Sequence, residues 1–320
     1  MTFVDRFFVS FICLVNALQY AGFHQTLMEL PPYVGDTPMN NAIVDSGKTA
    51  DSFLTRRFPG LIFIATRAAG EENTAIAQLI EHELSEKGVE IDLVSLGLFG
   101  SQSASMLKRV LNRTEDIEIG ASGAAMAEDP FLALKLFDHI SDRMVRGGAL
   151  IDFGPGTAGL FAAWAPECGI REFYGERPLP PVTLVVPVTA NGASVQGALE
   201  TIADARNALK NVPVGNVVVV YDERDGEFSS SIPGHDALKA LESDTAMEFT
   251  VTSFLLPELR SEISRKLRST STSFREALNV SAPKLATKLD LAIPQCSRGK
   301  RFLREWVAKA SADLEIALAA

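Results

Sequence analysis

Between Gly60 and Leu256, short apolar and β-branched runs alternate with longer stretches whose apolar positions recur at helical spacing. Leu61–Thr66 (LIFIAT) reads as a buried strand, and Ile76, Leu79, Ile80 and Leu84 then share one face of a helix. Val89–Leu96 reads as a second strand. The next helix opens at Asp129–Pro130, runs through Leu134, Phe137, Ile140 and Met144, and closes at Gly147–Gly148, with Pro at its start and Gly at its end. Ala149–Phe153 is a third strand. Val182–Val188 and Asn216–Tyr221 are a fourth and fifth, separated by a helix over Ser194–Leu209, and Glu248–Leu256 is a sixth. Such strands, without polar alternation, suit a sheet covered on both faces. The alternation predicts an α/β fold with a doubly wound, mainly parallel sheet. From Pro257 onward the pattern is helical, interrupted at Pro283 and Pro294.

The loop between the first strand and its helix, RAAGEEN (Arg67–Asn73), changes this picture. A strand, a small-residue loop and a helix N-terminus form the frame in which backbone N–H groups and the helix dipole hold phosphate. A phosphate loop also wants a Lys for the β- and γ-phosphates. Here Glu71 and Glu72 stand near the helix start, and at about 4 Å each would cost a bound phosphate ~4 kcal/mol before screening. Ligands of open parallel sheets sit beyond the carboxyl ends of the strands. That singles out Asp152 with Gly154–Pro155–Gly156 after the third strand, Asp222–Gly226 after the fifth and Leu256–Pro257 after the sixth. Asp152 could hold Mg²⁺ directly or through water. An ordinary strand-end Asp followed by a tight turn is the alternative.

The net charge is −10, which argues against whole-surface attraction to nucleic acid. The charge is uneven, because Pro257–Lys309 carries 12 Lys/Arg against 5 Asp/Glu. Arg260, Arg265, Lys266 and Arg268, with Arg298, Lys300, Arg301 and Arg304, could neutralise DNA phosphates. A solvated helix face is the alternative. Trp306 and Phe302 are expected to pack that helix onto the sheet. Cys13, Cys168 and Cys296 and the four His residues are scattered without metal-ligand spacing, so zinc is not expected and a cytoplasmic location is. Phe7–Phe23 is apolar but short for a membrane span and lacks a basic flank. It reads as a leader or a packing helix, with a membrane anchor as the lesser alternative and Met28 and Met39 as later starts. Ser46–Gly47–Lys48–Thr49 contains a GKT triplet with no strand leading into it, and reads as a loop or cap. The expected organisation is an N-terminal extension over 1–58, the α/β domain over 59–256 and a basic helical segment over 257–320 packed on that domain.

Over Gly60–Arg268 the chain resembles the ParA/MinD family of deviant-Walker P-loop ATPases, in particular plasmid-borne members that accompany mobilisation and stability genes. RAAGEENT aligns with that family's KGGVGKST, and ALIDFGPG is similar to its Walker B and switch II segment. VTLVVPVTANGASVQGALETIADARNAL and NVVVVYDERDG are similar to its later strand–helix and strand. The resemblance implies ATP and Mg²⁺ as cofactors, a homodimer, and a role in plasmid or chromosome partition or DNA mobilisation. It places Arg67, Gly70, Glu72, Asn73, Thr74, Gly156, Asp222 and Pro257 at the nucleotide, Thr74 and Asp152 at the metal, and Asp152 in hydrolysis. It also adds weight to DNA binding late in the chain. Arg67 stands at the signature Lys, Glu72 at the P-loop Lys, Asn73 at the metal-binding Ser/Thr and Asp222 at the base-reading Asn. IDLVSLG lacks the family's DxDPQ. These departures imply a scaffold or weak nucleotide switch; an active dimerising ATPase and a membrane-associated adaptor are the alternatives.

Overall fold

The computed structural model describes residues 56–67, 72–98, 105–119, 140–165, 178–208, 212–259 and 261–319. In chain order these contain β1 (Arg56–Arg57), β2 (Leu61–Ile64), α1 (Glu72–Glu86), β3 (Val89–Glu90), β4 (Asp92–Leu98), α2 (Met106–Val110), β5 (Glu115–Ile119) and β6 (Ala149–Phe153). Next come α3 (Thr157–Trp164), β7 (Val182–Thr189), α4 (Gly192–Ala208), β8 (Val214–Asp222), α5 (His235–Leu241) and β9 (Thr250–Leu256). The chain finishes with α6 (Glu262–Ser269), α7 (Phe274–Asn279), α8 (Ala282–Leu289) and α9 (Ile293–Ala319).

Seven strands form a parallel sheet in the order β5-β4-β6-β2-β7-β8-β9. The central strands are predominantly apolar because both their faces are covered. Every residue of β2 and β6 is buried. On one face Phe63, Ile151, Phe153, Val186 and Val219 pack with Trp164 of α3, Val195 and Ile202 of α4 and Leu238 of α5. On the other, Ile62, Ile64, Leu150, Val218 and Phe254 pack with Ile76, Leu79 and Ile80 of α1 and with α6 to α9. Leu303, Val307, Ala310 and Leu314 of α9 lie in that second layer, so the C-terminal helices close one side of the core. The fold is therefore the doubly wound parallel α/β sheet with a helical C-terminal segment that the alternation predicts.

Several elements depart from expectation. The run Val89–Leu96 is two strands: β3 pairs with β1, and after Ile91 the chain joins the main sheet as β4. The edge strand β5 (EDIEI) carries too many acids to stand out in the sequence. The helices α2, α3 and α5 had no clear periodic signal. Pro283 lies in the first turn of α8, and Pro294 is the second residue of α9, so these prolines begin helices, where a missing N–H costs nothing. Residues 140–146 are helical and end at Gly147, whose φ of +66° suits glycine; Asp129–Pro130, Leu134 and Phe137 lie outside the described residues. So do Phe7–Phe23 and the GKT triplet. Among the described residues no helix is long and apolar enough to cross a membrane.

Candidate functional site

The winding of the sheet reverses around β2. The chain leaves β2 for β4 on one side, returns through β6, and crosses to β7 on the other. Crevices form at such reversals, beyond the carboxyl ends of the strands. The end of β2 lies directly beside that of β6, with Ile64 in register with Asp152.

Asp152 is buried, with a relative exposure of 5%. Its main partner is Asn73, the second residue of α1. The Asn73 side-chain amide donates to Asp152 Oδ1 at 2.8 Å and to the Phe153 carbonyl at 3.0 Å. Both N–H groups of one amide thereby fasten the start of α1 to the end of β6. Burial pushes the Asp152 carboxyl up to about 6; the Asn73 hydrogen bond opposes this, and the negative charge of Asp116 adds to it. The other end of the same amide, Asn73 Oδ1, is buried without a partner. A buried carbonyl lacking a donor costs on the order of 1–3 kcal/mol. An unpartnered oxygen beside a buried carboxylate is a donor set that fits a hard divalent cation such as Mg²⁺. Among the described residues no cluster of three or more acidic, His or Cys side chains could hold a metal by itself.

The turn after β6 is built for close approach. Gly154 donates its N–H to the Leu96 carbonyl at 2.9 Å, and a Cβ on Gly154 would overlap that same oxygen. Thr157 closes the turn with its backbone N–H (3.1 Å) and hydroxyl (2.8 Å), both donated to the Gly154 carbonyl. Gly156 caps α3 with φ +81°, a left-handed conformation that favours glycine.

The remaining expected site residues are disposed differently. Arg67 turns along α4: its backbone N–H donates to Thr201 Oγ1 at 3.0 Å, its Nε to Asp204 at 2.5 Å, and its Nη1 lies 4.0 Å from Glu200. Asp222, buried at 3% exposure, is enclosed by Arg224, which donates its backbone N–H (3.0 Å), Nε (3.0 Å) and Nη2 (2.7 Å). The Pro257 carbonyl accepts from Trp306 Nε1 at 2.7 Å. Gly70 lies outside the described residues, and of Glu72 only the helical backbone is described.

A cleft of about 620 Å³ lies beside the N-terminal half of α1. Thr74, Asp222 and Pro257 line it together with Arg265, Arg268 and Trp306. Its volume is within the range typical of small-molecule sites, roughly 300–1,000 Å³. Asn73 and Asp152 do not line it. Arg224 falls within the Asp222–Gly226 turn that the sequence singles out, while Trp306, expected only to pack its helix, reaches the cleft through tertiary folding.

Among the basic residues Arg265, Arg268, Arg298, Arg301 and Arg304 are exposed. Lys266 lies 3.8 Å from Asp290, Lys300 donates to the Val280 carbonyl, and Arg301 lies 3.9 Å from Glu305. Arg260 lies outside the described residues. Trp306 packs edge-on against Phe274 of α7, with ring centroids 5.5 Å apart. Phe302 does not pack inward: it is 48% exposed, because it falls on the outer face of α9 under the Arg301 guanidinium.

The sheet order, with α1 the next helix after the central strand β2, is that of a P-loop NTPase-like α/β fold. No family model matches the chain, and no curated protein matches it. Similar solved structures include FlhF complexed with GMPPNP/Mg²⁺, at 13% identity and a TM-score of 0.34 over 62% of this chain and 66% of that one. They also include the cell division protein FtsY of Thermotoga maritima, at 16% identity and a TM-score of 0.27 over 54% of this chain and 56% of that one. FtsY of Mycoplasma mycoides gives 14% identity and a TM-score of 0.26, covering 53% of this chain and 54% of that one. The chain thus spans less than two thirds of the length of each.

Proposed function

We propose that this protein is a P-loop-like scaffold or weak nucleotide switch, of the ParA/MinD kind, working beside a DNA partition or mobilisation system. The observation that carries this reading is the engagement of its would-be nucleotide residues within the chain. Arg67, at the position of a phosphate-reaching Lys, is neutralised by Asp204 and Glu200 on α4. Asp222, at the base-reading position, has its carboxylate filled by Arg224. Glu72 places an acid where the phosphate-binding Lys belongs.

Mg²⁺, when bound, would be held by Asp152 and Asn73 Oδ1, and would supply charge neutralisation for a phosphate. The chain's own residues do the rest. Asn73 fixes the end of β6 against α1, and the Gly154–Thr157 turn carries that position to α3. The exposed arginines of α6 and α9 offer DNA phosphates a positive surface, and the protein acts as a dimer in this reading. The unpartnered Asn73 Oδ1 favours one competing reading, an active dimerising ATPase, since it leaves a place for the metal.

Calorimetric titration of ATP–Mg²⁺ and GTP–Mg²⁺ into the native chain and into Glu72→Lys separates the two. The expected result is no measurable heat from the native chain and binding by Glu72→Lys. Removing one like-charge contact of ~4 kcal/mol corresponds to roughly a thousandfold in affinity. Micromolar binding by the native chain, with turnover abolished by Asp152→Ala, would establish the ATPase instead.

A further inference from the structure

The two edges of the main sheet are guarded very differently. Strand edges present unpaired backbone N–H and C=O groups, and proteins usually blunt them with charge, proline or cover. Strand β5, at one edge, has Glu115, Asp116 and Glu118 among its five residues. Strand β9, at the other edge, is Thr250–Leu256 (TVTSFLL): seven residues with no charge, no proline and strong β-propensity. It pairs only with β8, and among the described residues no other backbone hydrogen bond reaches residues 250–256. Leu255 on this strand is 43% exposed. Ile316 on α9 (73%), the most exposed large apolar side chain among the described residues, adjoins Ala317, whose carbonyl accepts from Thr252 Oγ1 at 3.2 Å and from Asn216 Nδ2 of β8 at 2.9 Å.

We propose that the free edge of β9 is a self-association site, at which a second copy of this chain adds its own β9 antiparallel and joins the two sheets across a two-fold axis. The occupant follows from the sequence of the edge. An antiparallel pairing centred on Ser253 sets Ser253 against the partner's Ser253, Thr252 against the partner's Phe254, Val251 against the partner's Leu255 and Thr250 against the partner's Leu256. The pairs on either side of the central Ser253–Ser253 contact each combine a β-branched residue with an aromatic or aliphatic one, the kind of cross-strand pair that stabilises sheets. The same patch on both copies satisfies two-fold symmetry without a second surface. No charge enters the paired run: Glu248 and Glu258 flank it, and Lys239, whose Nζ lies 3.4 Å from Ser253 Oγ, is neutralised by Glu242 at 2.9 Å. The association needs no nucleotide, so it stands or falls separately from the reading of the β2–α1 loop.

The test is sedimentation equilibrium of the nucleotide-free native chain across a concentration series, beside Leu255→Lys and Ile316→Lys. Both substituted side chains are exposed, so thermal melts should coincide with that of the native chain. Each substitution acts twice across the axis and is expected to weaken the dimer by roughly tenfold or more. As an independent arm, in a chain with Cys13 and Cys168 replaced by Ser, Ser253→Cys should form a disulfide-linked dimer under mild oxidation, while Thr250→Cys should not. A native chain that stays monomeric throughout overturns the proposal. So does a dimer that ignores Leu255→Lys and leaves Ser253→Cys uncrosslinked, since such a dimer uses another face.

Discussion

Asp152 and Asn73 couple a charge to a clasp, and that coupling is measurable. Burial pushes the Asp152 carboxyl from an ordinary 3.8 up to about 6 in the folded chain. A raised carboxyl favours the folded state when protonated, so its penalty is present above pH 6 and is relieved as pH falls through 6 toward 3.8. The shift corresponds to about 3 kcal/mol across that window. Asp152→Asn keeps an acceptor for the Asn73 amide and removes the charge. It is expected to be more stable than the native chain at pH 7.5 and to lose that advantage near pH 4, read by urea unfolding at both pH values; equal differences at the two would refute the titration. Asn73→Asp should do the reverse, placing a second carboxylate where an amide donates at 2.8 Å and costing on the order of 2–4 kcal/mol near neutral pH. The sequence made Asp152 legible, because a carboxylate after a buried apolar run stands out. It did not make the clasp legible: the sequence offers Asn73 only as a lost metal ligand, and its amide meets Asp152 and the Phe153 carbonyl only once the start of α1 lies beside the end of β6. The turning of Arg67 onto α4 was hidden for the same reason, since Asp204 lies far along the chain.

At the level of elements, β6 and its turn are the least forgiving part of the molecule. Gly154 passes so close to the Leu96 carbonyl that any Cβ there must move the backbone of β4 or β6. Gly154→Ala is therefore expected to cost about 1–3 kcal/mol, as overpacking does, and to lower the thermal midpoint by several degrees. Gly159→Ala, within α3, has open space around its Cβ and should be neutral or slightly stabilising. A similar loss at both positions would mean that the β6 turn is looser than described. The contrast also explains which elements could be read in advance. Strands buried on both faces announce themselves as unbroken apolar runs, and β6, β7 and β8 fall within two residues of expectation. Strand β5 is exposed at an edge and its acids mask it, while β3 and β4 look like one strand because only pairing partners divide them. Helices α2 and α5 are too short for a period to show.

For the whole molecule, the C-terminal helices serve the core on one side and present charge on the other. Leu303, Val307 and Leu314 each bury a side chain in the layer that also holds Ile62, Ile64 and Ile80, and burial of each such side chain contributes roughly 1.5–3 kcal/mol. Typical domain stability is only about 5–15 kcal/mol, so truncation before Ile293 should leave a chain that does not fold cooperatively. The outer surface of these helices tests the proposed DNA role. Arg265, Arg268, Arg298 and Arg304 are exposed and make no ion pair among the described residues, whereas Lys266 and Lys300 are drawn toward Asp290 and Val280, and the equally exposed Arg301 lies 3.9 Å from Glu305. If the four exposed arginines without an ion pair each meet a phosphate, affinity for duplex DNA should fall on the order of 50-fold between about 50 and 150 mM salt. Arg265→Ala with Arg268→Ala should lower the logarithmic salt slope by about two and weaken binding alike on unrelated sequences. The net charge of −10 works against this binding, so the contact must be local to that face. Fluorescence anisotropy with two unrelated duplexes reads both effects. An unchanged slope in the double variant, or no binding even at about 50 mM salt, would reduce these arginines to a solvated surface.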